Sequence, residues 1–233
     1  MLSLKMDENM DEIYTLLNYF PLSLTDPTLK KYLNHHLDAF IKCCENELFS
    51  SSYSHLHILY MVFVYIQLLR IAKEKKQEFN LCWVGFPNQE KDFLKEPSSP
   101  FSFSRIQEKT VFRFFRLVGF DDGSIGNISS LVSKRNENLH ANGQLFFESL
   151  ENFEKELREY FKKMQSIISK QVNFLQTIYS SIVSNYEEGF EINQDEIETN
   201  FIEQYFFSEY ELKLIAEGKD DIFSKFIIEN MLT

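Results

Sequence analysis

Residues 133–143 read SKRNENLHANG, which sets Arg135 and His140 five positions apart with Asn136 between them and Gly143 just beyond. A histidine that titrates near neutrality can give or take a proton, and an arginine offers a permanent planar array of donors to negative charge. The same residues also fit an ordinary helix end, where cations suit the dipole and a glycine stops the helix. Position matters as much as type. Five residues along an ideal helix turn about 500°, so Arg135 and His140 point about 140° apart while Asn136 and His140 share a face. Either the helix bends between them or a second subunit completes the site.

A second group precedes this stretch. Arg105, Lys109, Arg113 and Arg116 follow spacings of 4, 4 and 3, which on one α-helix places them within an arc of about 80°, with Glu108 as the only nearby opposing charge. That face is either a solvated stripe or an anion-binding surface. His35, His36, Cys43, Cys44, His55 and His57 raise the question of a metal. They contain no CxxC or HExxH spacing, and Cys43 or Cys44 reads as buried, so no metal site is assigned.

The elements that must hold these residues read as helices. Seven glycines and five prolines against 24 phenylalanines and 11 tyrosines favour long, uninterrupted segments. A short helix is expected over 7–19. A second opens at Asp26-Pro27 and runs to Phe49, with Leu33, Leu37, Ile41, Cys44 and Leu48 inward, and the following serines end it. The third, 53–79, is apolar almost all round at its centre, and its run Ile58–Ile66 falls short of the roughly 20 residues of a membrane span. Residues 80–103, with Trp83 and three prolines, form a long loop or lid. Ser104 caps a helix to Val118 with Val111, Phe114, Phe115 and Val118 inward, and another runs from Ser124 through the motif on Ile125, Ile128, Leu131 and Val132. A long helix covers 148–186, and shorter ones are expected at 197–206, 209–217 and 222–229.

Composition bounds the class. The hydrophobic share of 44% in 233 residues builds a sizeable core. The acidic start MLSLKMDENMDEIY is unlike a secretory signal, and three cysteines without a paired framework fit a reducing compartment, so a cytoplasmic protein is expected. Of the formal charge of −11, the segment 186–233 carries −10, leaving the body near neutral. Two parts are therefore expected: a helical domain over 1–185 and an acidic helical extension over 186–233.

An all-helical body in which a long apolar helix precedes a helix ending Arg135-Asn136-Glu137-Asn138-Leu139-His140, followed by a glycine and another long helix, resembles the HEPN superfamily over residues 27–180. The resemblance implies an all-α HEPN-like bundle with a long loop before its fourth helix. It also implies a metal-independent, cofactor-free endoribonuclease. On that footing the ribose 2'-OH attacks the adjacent phosphate, His140 serves as acid or base, Arg135 steadies the charge of the phosphorane, and Asn136 completes the motif. Arg105, Lys109, Arg113, Arg116 and Lys134 would contact the RNA. Members of the family are typically dimers with facing motifs, so a homodimer with a composite cleft is expected. A role as the effector of a toxin or antiphage-defence system follows, with an antitoxin or other defence protein as partner and no membrane. One branch carries a modifiable tyrosine two residues after the histidine; Asn142 stands here instead, so that regulation is not expected. Two rivals are a non-catalytic HEPN scaffold that binds RNA, nucleotide or a partner protein, and an unrelated helical interaction protein.

Overall fold

The computed structural model describes residues 14–82, 94, 96–139, 147, 149–187, 202–216, 224–225 and 227–228. These residues are helical, and among them there is no strand, only one isolated antiparallel bridge between Pro21 and Ser208. The fold is all-α, as expected. The longer elements are α1 (Pro27–Glu45), α2 (Phe49–Glu74), α3 (Lys76–Leu81), α4 (Glu108–Val111), α5 (Asp122–Leu139), α6 (Leu150–Lys170), α7 (Val172–Glu187) and α8 (Glu209–Ala216), with 3-10 segments at Leu16–Tyr19, Pro100–Arg105 and Phe112–Val118. Contacts divide the chain into Lys31–Ile167 and a second unit made of Met1–Lys30 with Ile168–Thr233. The boundary drawn from charge lies at 185/186; these lie at 30/31 and 167/168.

In the unit Lys31–Ile167, α2 is the central element. Every residue from Leu59 to Ala72 is buried, so this helix spends no face on solvent, and each fully buried Leu, Val or Ile contributes about 2 kcal/mol of transfer free energy. It is the only helix among the described residues long and apolar enough to cross a membrane, but 89% of its apolar window is buried inside the protein, which marks a core helix. The apolar stretch is thus longer than the nine-residue run suggests. Two of its buried polar members are paired inside the protein: Arg70, 1% exposed, donates to Gln67 Oε1 at 3.1 Å, and the Tyr60 hydroxyl donates to the Ile128 carbonyl at 2.7 Å.

Several boundaries differ from the pattern reading. Asp26 does cap α1, its Oδ1 accepting from the Thr28 and Leu29 amides. That helix ends earlier, at Glu45, and the chain turns through Glu47 at φ 58°. The serines then open α2 instead of closing α1: Ser52 and Ser54 donate back to the carbonyls of Leu48 and Ser50, which removes their drive to break the helix. The buried stripe of α1 is Leu29, Leu33, His36 and Phe40, with Leu37 and Ile41 half-buried and Leu48 56% exposed beyond the helix. The long helix expected over 148–186 is two, α6 and α7, meeting at Gln171. Ile125, Ile128, Leu131 and Val132 are all buried in α5, as the spacing requires.

The second unit is built on α7 and α8. Leu175, Ile178 and Tyr179 of α7 and Leu212, Ile215 and Ala216 of α8 are buried, as are Leu16, Tyr19 and Phe20. Tyr19 stacks on Tyr210 with ring centroids 5.0 Å apart, and Ser23 donates to Glu203 at 2.7 Å. Ser208 and Glu211 form a reciprocal capping box at the start of α8. The acidic segment is therefore not wholly a solvated appendage. Its described part packs on the N-terminal residues.

Candidate functional site

Arg135 lies in the last turns of α5, four residues before the helix ends at Leu139. His140 and Gly143 lie outside the described residues. Asn136 is exposed on the same helix, and Lys134 is half-buried and paired with Glu156 of α6. What meets Arg135 comes instead from earlier in the chain: its Nη2 donates to Glu108 Oε2. The same carboxylate oxygen stands 3.5 Å from Nε2 of His57. Three elements far apart in sequence, α2, α4 and α5, converge on one carboxylate.

The local backbone explains how Glu108 arrives there. The continuous helix expected from Ser104 to Val118 is broken. A 3-10 turn, capped by Ser99, ends at Arg105, the chain is extended at Ile106 and Gln107, and α4 begins at Glu108 and passes into a second 3-10 segment at Phe112. Burial of Phe103, Ile106, Val111, Phe112, Phe114 and Phe115 requires this. Six apolar side chains in thirteen positions are too many for one face of one α-helix, and alternating 3-10 and extended geometry turns all of them inward. Two corrections follow. The 80° arc of Arg105, Lys109, Arg113 and Arg116 does not exist as an α-helical stripe, although all four are exposed and the two arginines at 113 and 116 remain i, i+3 neighbours on one 3-10 segment. Glu108 does not oppose that group, and Arg116 pairs with Asp122.

His57 is 3% exposed, and its Nδ1 lies 3.0 Å from the Tyr160 hydroxyl of α6. Burial pushes the imidazole below its ordinary value, helped by the Arg135 charge and opposed by Glu108, so the ring is neutral at pH 7. Burial raises the Tyr160 hydroxyl well above its ordinary value. The ionised Glu108 carboxylate can only accept, so the proton of the neutral ring is on Nε2, facing it, and Nδ1 accepts from the neutral Tyr160 hydroxyl. The His57 imidazole, and after it Arg135, holds the Glu108 carboxyl below the usual carboxylate range against the opposing effect of burial. At 3.5 Å the His57 approach is long for a hydrogen bond, so Arg135 is the closer partner.

These groups line one side of a cleft of about 350 Å³ whose other walls are Tyr32, Tyr65, Phe101 and the apolar side chains of α2. The Arg135 and Glu108 side chains remain 25% and 31% exposed. The cleft therefore offers a cation, an ionised carboxylate, a neutral imidazole and flat aromatic walls, open to solvent.

The chain matches no protein-family model, no curated protein and no solved structure.

Among the residues raised for a metal, His36 and His55 place their Nδ1 atoms 2.9 Å apart with His35 edge-on to His36. Among the described residues no three His, Cys, Asp or Glu side chains are placed to hold a metal ion. Cys43 and Cys44 are half-exposed instead of buried, and partial burial pushes the Cys44 thiol up to about 11. Sequence reading passed over Glu108 as a countercharge and grouped His57 with the metal candidates. The available signal was a titratable histidine within an otherwise apolar run.

Proposed function

We propose that this protein is a metal-independent endoribonuclease of HEPN type that cuts single-stranded RNA in the cytoplasm as a homodimer, serving as the effector of a toxin or defence system. The observation that carries the reading is the placement of Arg135 at the end of α5, with its guanidinium facing an open, aromatic-walled cleft. In the reaction the 2'-oxygen attacks phosphorus while its proton passes to a base. The bond to the 5'-oxygen breaks, and that oxygen receives a proton from an acid, leaving a 2',3'-cyclic phosphate. His140 supplies the proton transfer and Arg135 the stabilisation of the equatorial oxygens. Unpaired RNA suits the cleft because in-line attack needs a flexible backbone and unstacked bases rest on aromatic rings.

A second reading is favoured by a specific contact. The ion pair with Glu108 already satisfies part of the Arg135 guanidinium, as expected of a scaffold that binds RNA, nucleotide or a partner protein without cleaving. The two readings part in one assay: cleavage of mixed cellular RNA in excess EDTA by the parent, His140→Ala and Arg135→Ala. The endoribonuclease reading expects cyclic-phosphate ends from the parent and a loss of about 10²- to 10⁴-fold in either variant. No cleavage by a folded parent favours the scaffold.

A further inference from the structure

Glu108 Oε2 is shared between two donors on different helices, Arg135 Nη2 and His57 Nε2. Neither donor group is saturated. Arg135 Nε and His57 Nε2 are buried atoms without a hydrogen bond, and His57 is 97% buried with that nitrogen turned toward the cleft wall that Glu108 and Arg135 form. Buried donors are ordinarily paired, so two of them around one carboxylate indicate an arrangement that another ligand completes. The carboxylate stands on the four-residue helix α4, flanked by extended and 3-10 backbone, whereas Arg135 and His57 stand on long helices. Of the three groups Glu108 has the least rigid footing.

We propose that Glu108 is an exchangeable counter-ion: a phosphodiester entering the cleft takes the Arg135 guanidinium from it, and the released carboxylate closes on the Nε2–H of His57. The inference rests on the reading of Arg135 as a phosphate contact. A phosphate offers the guanidinium two oxygens in a fork and uses Nε as well as Nη, which satisfies the buried Nε that Glu108 leaves without a partner. The carboxylate in turn completes the long 3.5 Å approach to His57. Both orphaned donors are then paired. Tyr32, Tyr65 and Phe101 on the facing walls supply surfaces on which the bases of an unpaired strand stack. Glu108 thereby keeps the cleft closed to stray small anions and makes His57 a positioning residue that receives the displaced charge.

The test is binding, without cleavage, of a single-stranded all-2'-deoxy oligonucleotide, which lacks the nucleophile, measured calorimetrically in EDTA at fixed salt. Arg135→Ala should abolish binding. Glu108→Gln should tighten it about fivefold, the upper end of what a partly exposed ion pair is worth. A second measurement follows the His57 ring by NMR. Among the described residues, the charged or titratable groups facing it are Glu108 from α4, Arg135 from α5, Tyr160 from α6 and Tyr60 on its own helix. Oligonucleotide should raise the pH at which His57 titrates in the parent, because the carboxylate moves onto it and Arg135 is neutralised, and this rise should be smaller in Glu108→Gln, where only the neutralisation of Arg135 remains. If that variant does not fold, the parent titration alone decides. Equal or weaker binding by a folded Glu108→Gln, an unmoved His57 titration, or undiminished binding by Arg135→Ala overturns the proposal. Tighter binding by Glu108→Gln together with a parent that cleaves no RNA upholds the exchange and fails the nuclease reading.

Discussion

At the scale of single residues, the site couples two titrating groups whose shifts have the same consequence. His57 titrates below its ordinary 6.5, chiefly through burial, so protonation of the unfolded chain draws the equilibrium toward unfolding. The stability gained from the neutral ring is fully present above about 6.5 and is lost as pH falls through the folded-state value. Glu108 titrates below its ordinary 4.5, and its contribution is lost lower still, as pH falls from that value through its folded one. His36 and His55 shift in the same direction as His57, again mainly through burial. The melting temperature should therefore fall between pH 7.5 and pH 5, before carboxylates titrate. His57→Asn, which keeps an acceptor for Tyr160, should shrink that fall while leaving part of it to His36 and His55. Calorimetry across the range checks this, and an identical slope in parent and variant removes His57 from the account.

At the scale of elements, the break in the chain from Arg105 to Asp122 builds the site, and one glycine closes it. Gly119 ends the second 3-10 segment at φ +90°, with its amide bonded back to Arg116. Nothing lies within 4 Å of where a side chain would stand. Gly119→Ala should therefore cost about 1–2 kcal/mol purely through left-handed backbone, read as a lower urea midpoint at unchanged slope, and Gly119→Asn should cost less. A loss as large for Asn as for Ala would place the cost elsewhere. The break between a helix ending at Val118 and one opening at Ser124 was legible in the sequence, as were the Asp26 cap, the apolar centre of α2 and the inward face of α5, because each is written in neighbouring residues. The convergence of His57, Glu108 and Arg135 was not. Glu108 and Arg135 are 27 positions apart, and no local pattern distinguishes a glutamate that pairs across helices from one that faces solvent. The apolar excess between Phe103 and Phe115 was visible, but reading it with one helical period hid the change to 3-10 geometry that sends Glu108 inward and splits the basic group.

At the scale of the whole molecule, the proposed reaction has a geometric requirement that one helix does not meet. Arg135 is in α5, which keeps helical geometry to Leu139, and on an ideal helix the five-residue spacing of the motif separates its two ends by about 140° around the axis. The described lining of the cleft comes from α1, α2, α4, α5 and the 3-10 segment Pro100–Arg105, and the one histidine among those described residues, His57, is buried, neutral and committed to Tyr160. The proposed reaction therefore needs a proton donor from beyond this described lining, and a two-fold dimer provides it if the His140 of one copy serves the Arg135 of the other. This arrangement makes a prediction that neither variant tests alone. Arg135→Ala and His140→Ala, each inactive, should recover activity when unfolded together and refolded as a mixture. With equal amounts, half the dimers are mixed and each has one of two sites intact, so about a quarter of the parent rate returns. Sites contained within one copy give no recovery at any ratio, because every site then lacks one group. Sedimentation of the refolded mixture separates the two explanations for a flat result: a dimer without activity refutes the shared site, whereas a monomer refutes the dimer itself.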